Sequence, residues 1–278
     1  MEPVTVTVLI TAYNEEEKIE RCLDSILEQT FRDMEILVIN DGSKDRTGEI
    51  VRRVMEENPD RRIRLIDREN RGRVPSLNEG IWKAEGKYIA IQDADDYSLP
   101  ERLEKQTSYF AAHPEVDVLG TAYIRLDDIR GEKYVRAYPE DDASIKREMC
   151  KYIPMCQGSV MMKSETIRRA GGYDESCKDA EDLDLWLRLG KQATFANLRE
   201  PYYVYDLTRQ NSFFHTNYGK TGRNLRVFKL NCKAVRIFGL PVYSYLFPLG
   251  RLAYPYIPNW MKKTVRRHVS KISETDRD

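Results

Sequence analysis

An α/β fold with a mostly parallel central sheet flanked by helices is what this sequence predicts, on two observations. Over about the first 90 residues, short β-branched apolar runs alternate with segments whose apolar residues recur at 3–4 spacing. Each apolar run then breaks on polar, turn-forming residues: Thr11–Tyr13, Asp41–Ser43, Asp67 and Asp93–Asp95. Repeated strand–helix–strand units make parallel pairs with right-handed crossovers, and ligands of such sheets sit beyond the carboxyl ends of the strands. The sequence therefore predicts a site assembled from strand ends.

Val4–Ile10 is β-branched and apolar almost throughout, as a buried parallel strand requires. Asn14 follows as a predicted N-cap for a Glu-rich first turn, and Ile19, Cys22, Leu23, Ile26 and Leu27 form the inner face of a helix. Met34–Ile39 is a second strand, followed by the turn Asn40–Ser43 and a helix over Asp45–Glu57. Arg64–Ile66 is a third strand, with a helix over Val74–Ala84, and Tyr88–Ile91 is a fourth. Further on, the pattern predicts a helix over Leu99–His113 and strands over Val116–Arg125 and Lys133–Ala137. A helix over Asp142–Tyr152 and a strand over Gly158–Met162 come next. Ser164–Gly172 reads as a short helix ending on glycine, and Asp179–Arg188 as a helix with an acidic N-terminus. Thr194–Ala196 and Tyr202–Tyr205 are late strands, and Arg223–Phe238 is an amphipathic helix.

The bulk numbers exclude several classes. The 278 residues suffice for one large domain with an appendage, and 45 Lys+Arg balance 45 Asp+Glu, so no global field points to nucleic acid. Five scattered cysteines without C-x-x-C spacing argue against a disulfide framework or zinc site and for a reducing compartment. The chain opens directly on a strand pattern, with no basic-then-apolar leader, and no apolar stretch reaches the length of a membrane span. A cytoplasmic protein is expected. No G-x-G-x-x-G or Walker loop follows the first strand, which disfavours a dinucleotide-binding fold or a P-loop kinase.

The stretch Gln92–Asp96 carries the chemistry. Three carboxylates within four positions at the end of a buried strand repel one another and resist desolvation. A hard divalent cation, Mg²⁺ or Mn²⁺, is the natural counter-charge for carboxylate oxygens. Alone, an Asp-x-Asp is more often a solvated turn before a helix; what surrounds this one reverses the balance.

Six segments carry a family likeness: Thr11–Glu15, Asp41–Thr47, Asn70–Gly72 with Asn78 and Gly80, Asp93–Asp96, Gly171–Glu175, and Glu181-Asp182. Over about Val4 to Tyr205 the chain resembles the inverting family 2 glycosyltransferases of GT-A fold. The resemblance implies a GT-A catalytic domain over 1–212, divided into a nucleotide-sugar half (1–98) and an acceptor half (99–212). A helical, aromatic-rich C-terminal extension would occupy 213–278. It also implies a nucleoside-diphosphate sugar donor, a UDP-sugar in the first instance, bordered by Thr11, Ala12, Tyr13, Glu15 and Ala94. Asp41 would accept a hydrogen bond from the base, since an ionised carboxylate is a pure acceptor. Asn70, Arg71 and Asn78 would lie near the diphosphate. Many relatives carry a basic residue just before the asparagine equivalent to Asn78, and this chain has Leu77, which leaves the neutralising charge to Arg71 or Arg73.

Asp95 and Asp93 are the implied metal pair, and Asp182 the base that takes the acceptor's proton. Gly172, Tyr173 and Glu181 are implied acceptor contacts. Trp186 is read either as an acceptor platform or as a core residue. Arg209 is the diphosphate-loop candidate, and His215 is a candidate third metal ligand against the alternative of a surface histidine.

Competing readings are transfer to a polyprenyl phosphate, which needs no strong base; a sugar-1-phosphate nucleotidyltransferase, which lacks its glycine-rich phosphate loop; and a non-catalytic nucleotide-sugar-binding protein. The acceptor would be a glycan or lipid-linked glycan. In the tail, aromatics and prolines over Leu240–Trp260 precede Lys262, Lys263, Arg266 and Arg267. The stretch 240–267 reads as an interfacial membrane contact at the cytoplasmic face, as a contact between copies of the chain, or as a flap packed on the catalytic domain.

Overall fold

The computed structural model describes residues 4–127, 132–177, 179–207 and 221–253. Arg209, His215, Trp260 and the basic run from Lys262 lie outside the described residues.

Strands β1 (Val6–Ala12), β2 (Met34–Asp41), β3 (Ile63–Arg68) and β4 (Tyr88–Asp93) pair in parallel in the order β3-β2-β1-β4. Helices α1 (Ile19–Leu27), α2 (Thr47–Glu57) and α3 (Arg73–Lys83) are the crossovers between them. The register aligns Thr11 with both Ile39 and Asp93, so the polar ends of β1, β2 and β4 emerge along one edge. Strands β1, β2 and β4 are buried on both faces, which is why their sequences run apolar without alternation, whereas the edge strand β3 is mostly half-buried.

Beyond β4 the sheet becomes mixed. Strand β8 (Met161–Lys163) pairs antiparallel with β4 and with β6 (Val118–Asp127), and β6 pairs in parallel with β9 (Phe195–Asp206). The edge strands β5 (Tyr97–Ser98) and β7 (Glu132–Arg136) pair antiparallel with β9 and β6. Helix α4 (Arg102–Ala112) precedes β6, and α5 (Asp142–Glu148), α6 (Ser164–Arg169) and α7 (Glu181–Leu189) follow β7. Two apolar clusters lie on the opposite sides of the sheet. One contains α1 and α2 residues such as Ile19, Leu23 and Val51; the other is built around α3, α6 and α7 with Leu77, Ile167 and Trp186.

Helix α8 (Thr221–Ile237) joins the second cluster through buried Val227, Leu230, Ala234 and Val235. A 3-10 turn (Val242–Tyr245) and α9 (Leu246–Ala253) follow it. No described helix is long and apolar enough to cross a membrane.

Four local expectations are corrected. Asn14 does not cap a helix: it takes a left-handed conformation (φ 56°), and α1 begins only at Ile19. Its side-chain oxygen instead accepts from the Lys44 backbone N–H at 2.8 Å. Residues Gln157–Ser159 form a 3-10 turn rather than strand, and β8 is confined to Met161–Lys163. A two-residue strand, Tyr97–Ser98, precedes α4. The two late strands are one, β9, whose register slips against β6 between Thr121 and Tyr123, where Pro201 cannot donate to the ladder.

Candidate active site

Beyond the carboxyl ends of β1, β2 and β4 lies a cleft of about 650 Å³. Thr11, Ala12, Tyr13, Glu15, Asp41, Asn70, Asp93, Ala94, Asp95, Glu181 and Asp182 all line it. So do Gly72, Arg73, Ser76, Gln157, Gly158, Asp179, Tyr205 and Arg223.

The first wall is made by two interlocked loops. From the β2–α2 loop, Ser43 Oγ accepts the Asn14 N–H at 3.0 Å and Thr47 Oγ1 the Glu15 N–H at 2.8 Å. Asp45 Oδ2 accepts the Glu16 N–H at 3.1 Å, while its other oxygen caps Thr47 at the start of α2. The hydroxyl and carboxylate positions of this motif thus hold the β1–α1 loop in place. Tyr13 projects from that loop with 45 % of its surface exposed, a free ring at the mouth.

Asp41 is buried at the end of β2 and holds the β3–α3 loop. Its carboxylate accepts the Arg71 N–H at 2.9 Å and the Gly72 N–H at 2.8 Å, and pairs with Arg68 at 2.9 Å. Three of the roughly four acceptor positions of a carboxylate are therefore taken, and one is left for a ligand. Gly42 and Gly72 are required here. A Cβ on Gly42 would stand 2.5 Å from the Asn70 nitrogen, and Gly72 has φ 97°.

The floor is the acidic end of β4. Asp96 faces inward, accepts the Tyr203 hydroxyl at 2.7 Å and the Asp206 N–H at 2.8 Å, and ties the end of β9 to β4. Burial, with Asp95 and Asp93 nearby, pushes its pKa well up. Asp93 and Asp95 line the cleft instead, and burial and then Asp93 raise the Asp95 pKa. Behind them Arg102 is fully buried, donating to Gln92 Oε1 at 3.1 Å and to the Ile91 carbonyl at 2.8 Å. Burial lowers its pKa to about 10.

The far wall is the N-terminus of α7. Arg73 reaches across to it: its guanidinium pairs with Asp93 and with Glu181, the latter at 3.3 Å. Burial opposes the Arg73 charge, but Asp93 and Glu181 hold its pKa well above the ordinary value. Asp182 accepts only its neighbour's N–H, from Leu183 at 2.7 Å, among the hydrogen bonds of its side chain described. Burial, then the Glu181 charge, pushes its pKa up to about 7. That value suits a general base at neutral pH. Arg223 enters from α8, its Nε donating to the Asp179 carbonyl at 3.1 Å.

Several predicted site residues stand back from the cleft. Asn78 clamps the backbone of Tyr173, donating to its carbonyl at 3.0 Å and accepting its N–H at 2.8 Å. Gly172 makes room for that clamp, since a Cβ there would lie 2.5 Å from Asn78 Oδ1. Tyr173 is buried and its hydroxyl accepts from Gln157, a cleft residue, at 3.2 Å. Trp186 has no exposed surface and meets Phe195 edge-on, which gives it the core role of the two considered. Arg71 offers its backbone to Asp41, and Arg73 rather than Arg71 is the arginine lining the cleft. Sequence reasoning missed Arg223, Gln157 and Gly158. Gly158 packs so closely that a Cβ would meet the Tyr203 hydroxyl at 2.1 Å, a contact between segments far apart in the chain.

The donor set suits a hard cation. Asp93 and Asp95 supply two carboxylates, and among the described residues no group of three ligating side chains forms. Magnesium-type ions are commonly held in that way, by one or two carboxylates with substrate phosphates and water completing the shell.

Residues 7–169 match the glycosyl transferase family 2 model. Among relatives, the "Putative glycosyltransferase EpsE" of Bacillus subtilis (strain 168) is 31 % identical over 96 % of this chain and 93 % of its own. Among solved structures, S. aureus TarS 1-349 in complex with UDP-GlcNAc superposes with a TM-score of 0.68 at 20 % identity, over 90 % of this chain and 71 % of its own. The mannosyltransferase PcManGT from Pyrobaculum calidifontis, in complex with GDP-Man and Mn²⁺, gives 0.63 at 20 % identity, over 97 % and 83 %. The fold is that of the GT-A transferases. The chain belongs to glycosyl transferase family 2 and is a glycosyltransferase.

Proposed function

We propose that the protein moves a hexosyl group, with inversion, from a nucleoside-diphosphate sugar to an acceptor hydroxyl during polysaccharide, glycolipid or glycoprotein glycan assembly. The observation that supports this reading is that Asp41 from the end of β2, Asp93 and Asp95 from the end of β4, and Asp182 from the start of α7 border one cleft. In it, residues 1–98 form the donor half, 99–212 the acceptor half and 213–278 the C-terminal extension.

Tyr13 stacks on the base, and Thr11, Ala12, Glu15, Asn70 and Ala94 border the nucleoside. Asp41 takes the base's N–H, for which UDP-sugars are the first choice. The solved relatives are complexes with UDP-GlcNAc and GDP-Man, so both nucleotides belong in the test. Asp95 and Asp93 hold Mg²⁺ or Mn²⁺, which supplies Lewis-acid stabilisation of the departing diphosphate when bound. Arg73, placed on Asp93, adds a guanidinium to the same oxygens; Arg209, outside the described residues, is the second arginine assigned to the diphosphate. Asp182, in its carboxylate form, withdraws the acceptor's proton as the hydroxyl attacks the anomeric carbon; Glu181 orients the acceptor. A single displacement needs one such base on the face opposite the leaving group. The protein works at the cytoplasmic face of a membrane on a glycan or lipid-linked acceptor.

The test is turnover of UDP-, GDP- and dTDP-sugars with Mn²⁺ by the purified chain. Asp95→Ala is expected to remove donor turnover, and Asp182→Asn to lower transfer by about 10²–10⁴-fold. Unchanged turnover in both variants refutes the mechanism. Transfer to a polyprenyl phosphate that survives Asp182→Asn would replace the hydroxyl acceptor with an already ionised one.

A further inference from the structure

The described residues end on a face for which the catalytic cleft has no use. Val242, Tyr243, Leu246, Phe247 and Leu249, on the 3-10 turn and α9, are 83, 66, 67, 44 and 51 % exposed. Apolar side chains so exposed and so close together mark an interaction surface. The face is fixed from beneath: Ser244 and Pro248 are buried, and Phe238, Leu240 and Tyr245 pack on the core cluster shared with α7.

The segment of sequence that carries this face is one-sided in charge. From Leu207 to Ser273 the sequence holds thirteen Lys or Arg and no Asp or Glu, although the whole chain is neutral. Lys229 and Arg236 stand exposed on α8, and Lys151, paired with Glu148 at 2.6 Å, lies over the Phe247 ring at 4.7 Å. Two such surfaces facing each other in a symmetric pair would set cation against cation. A layer of negative charge over an apolar interior is the complementary partner.

We propose that this face docks on an anionic lipid bilayer. Val242, Tyr243, Leu246 and Leu249 enter the headgroup–acyl boundary, and the exposed cations of α8, Lys229 and Arg236, bind the headgroups. The same helix that carries the cations begins at the acceptor side of the cleft, where Arg223 lines the wall with Asp182. Resting on the transferase reading, the consequence is that the acceptor reaches Asp182 from the membrane side, as a glycan carried on a lipid.

The test is co-sedimentation of the full chain with phosphatidylcholine vesicles, with and without phosphatidylglycerol. Binding is expected only with the anionic lipid, weakening as salt is raised. Val242→Asp/Leu246→Asp and Lys229→Glu/Arg236→Glu are each expected to weaken it at least about tenfold. Donor turnover in solution should be unchanged in both variants, since none of these residues lines the cleft. Absence of vesicle binding, or equal binding to neutral vesicles, overturns the proposal. So does a dimer in solution that Leu246→Asp dissociates, which would make a second copy the occupant. A large fall in Tm from Leu246→Asp without lipid would show the face already covered within the chain, and also overturns it. Wild-type vesicle binding without donor turnover would refute the transferase chemistry and leave the docking intact.

Discussion

Asp182 is a carboxyl group whose surroundings oppose its charge. Burial and the neighbouring Glu181 bring its pKa to about 7, and the Arg223 and Arg73 charges only partly offset them. As a base it must be ionised, so kcat/KM is expected to fall about tenfold per pH unit below about 7, with that limb absent in Asp182→Asn. The stability consequence has the opposite sense. The folded chain keeps a proton that the unfolded chain releases above about pH 4, so this group costs stability as pH rises from about 4 through 7. Asp182→Asn is therefore expected to raise Tm at pH 8 and to leave it nearly unchanged near pH 3, read by thermal melts at both. The carboxylate positions were legible in the sequence because strand ends and helix starts are. Whether Arg71 or Arg73 lines the cleft was not, because a glycine at φ 97° stands between them and redirects the chain.

At the level of elements, the motifs that carried the family likeness divide into those that meet the cleft and those that hold its walls. Asn78, Gly172 and Tyr173 form a clamp between α3 and the loop before α7, and so fix where Glu181 and Asp182 begin. Asn78→Ala leaves the Tyr173 backbone groups unpaired in a buried place and is expected to cost about 1–3 kcal/mol. Gly172→Ala adds a Cβ against Asn78 at φ 72° and is expected to cost about 2 kcal/mol or more. Urea titrations check both, and neither variant should shift the acid limb of the pH profile, which belongs to Asp182. A shared motif identifies such residues without saying which task each performs, since a clamp and a ligand both use an amide.

For the molecule as a whole, the boundary expected near residue 212 does not coincide with a break in packing. Val227, Leu230, Ala234 and Val235 lie in one apolar cluster with Leu183, Leu187 and Trp186. A chain ending at Leu207 would uncover that cluster, and is expected to be recovered aggregated or to melt several degrees lower, read by size-exclusion chromatography and Tm. The amphipathic pattern of α8 was plain in the sequence; that its inner face completes the core rather than a separate unit depends on contacts between distant segments. The segregation of charge was equally plain as a count, but its meaning depended on the outward face of α9.

The two loops of the nucleotide wall are joined by Ser43, Asp45 and Thr47 before any ligand arrives. Their ordering is accomplished during folding. On the proposed reading, donor association has little chain disorder left to remove on that side, and specificity for the base would reside in a preformed template rather than in a closing movement. On that reading, a change of nucleotide preference is expected to need substitutions in the template's own residues.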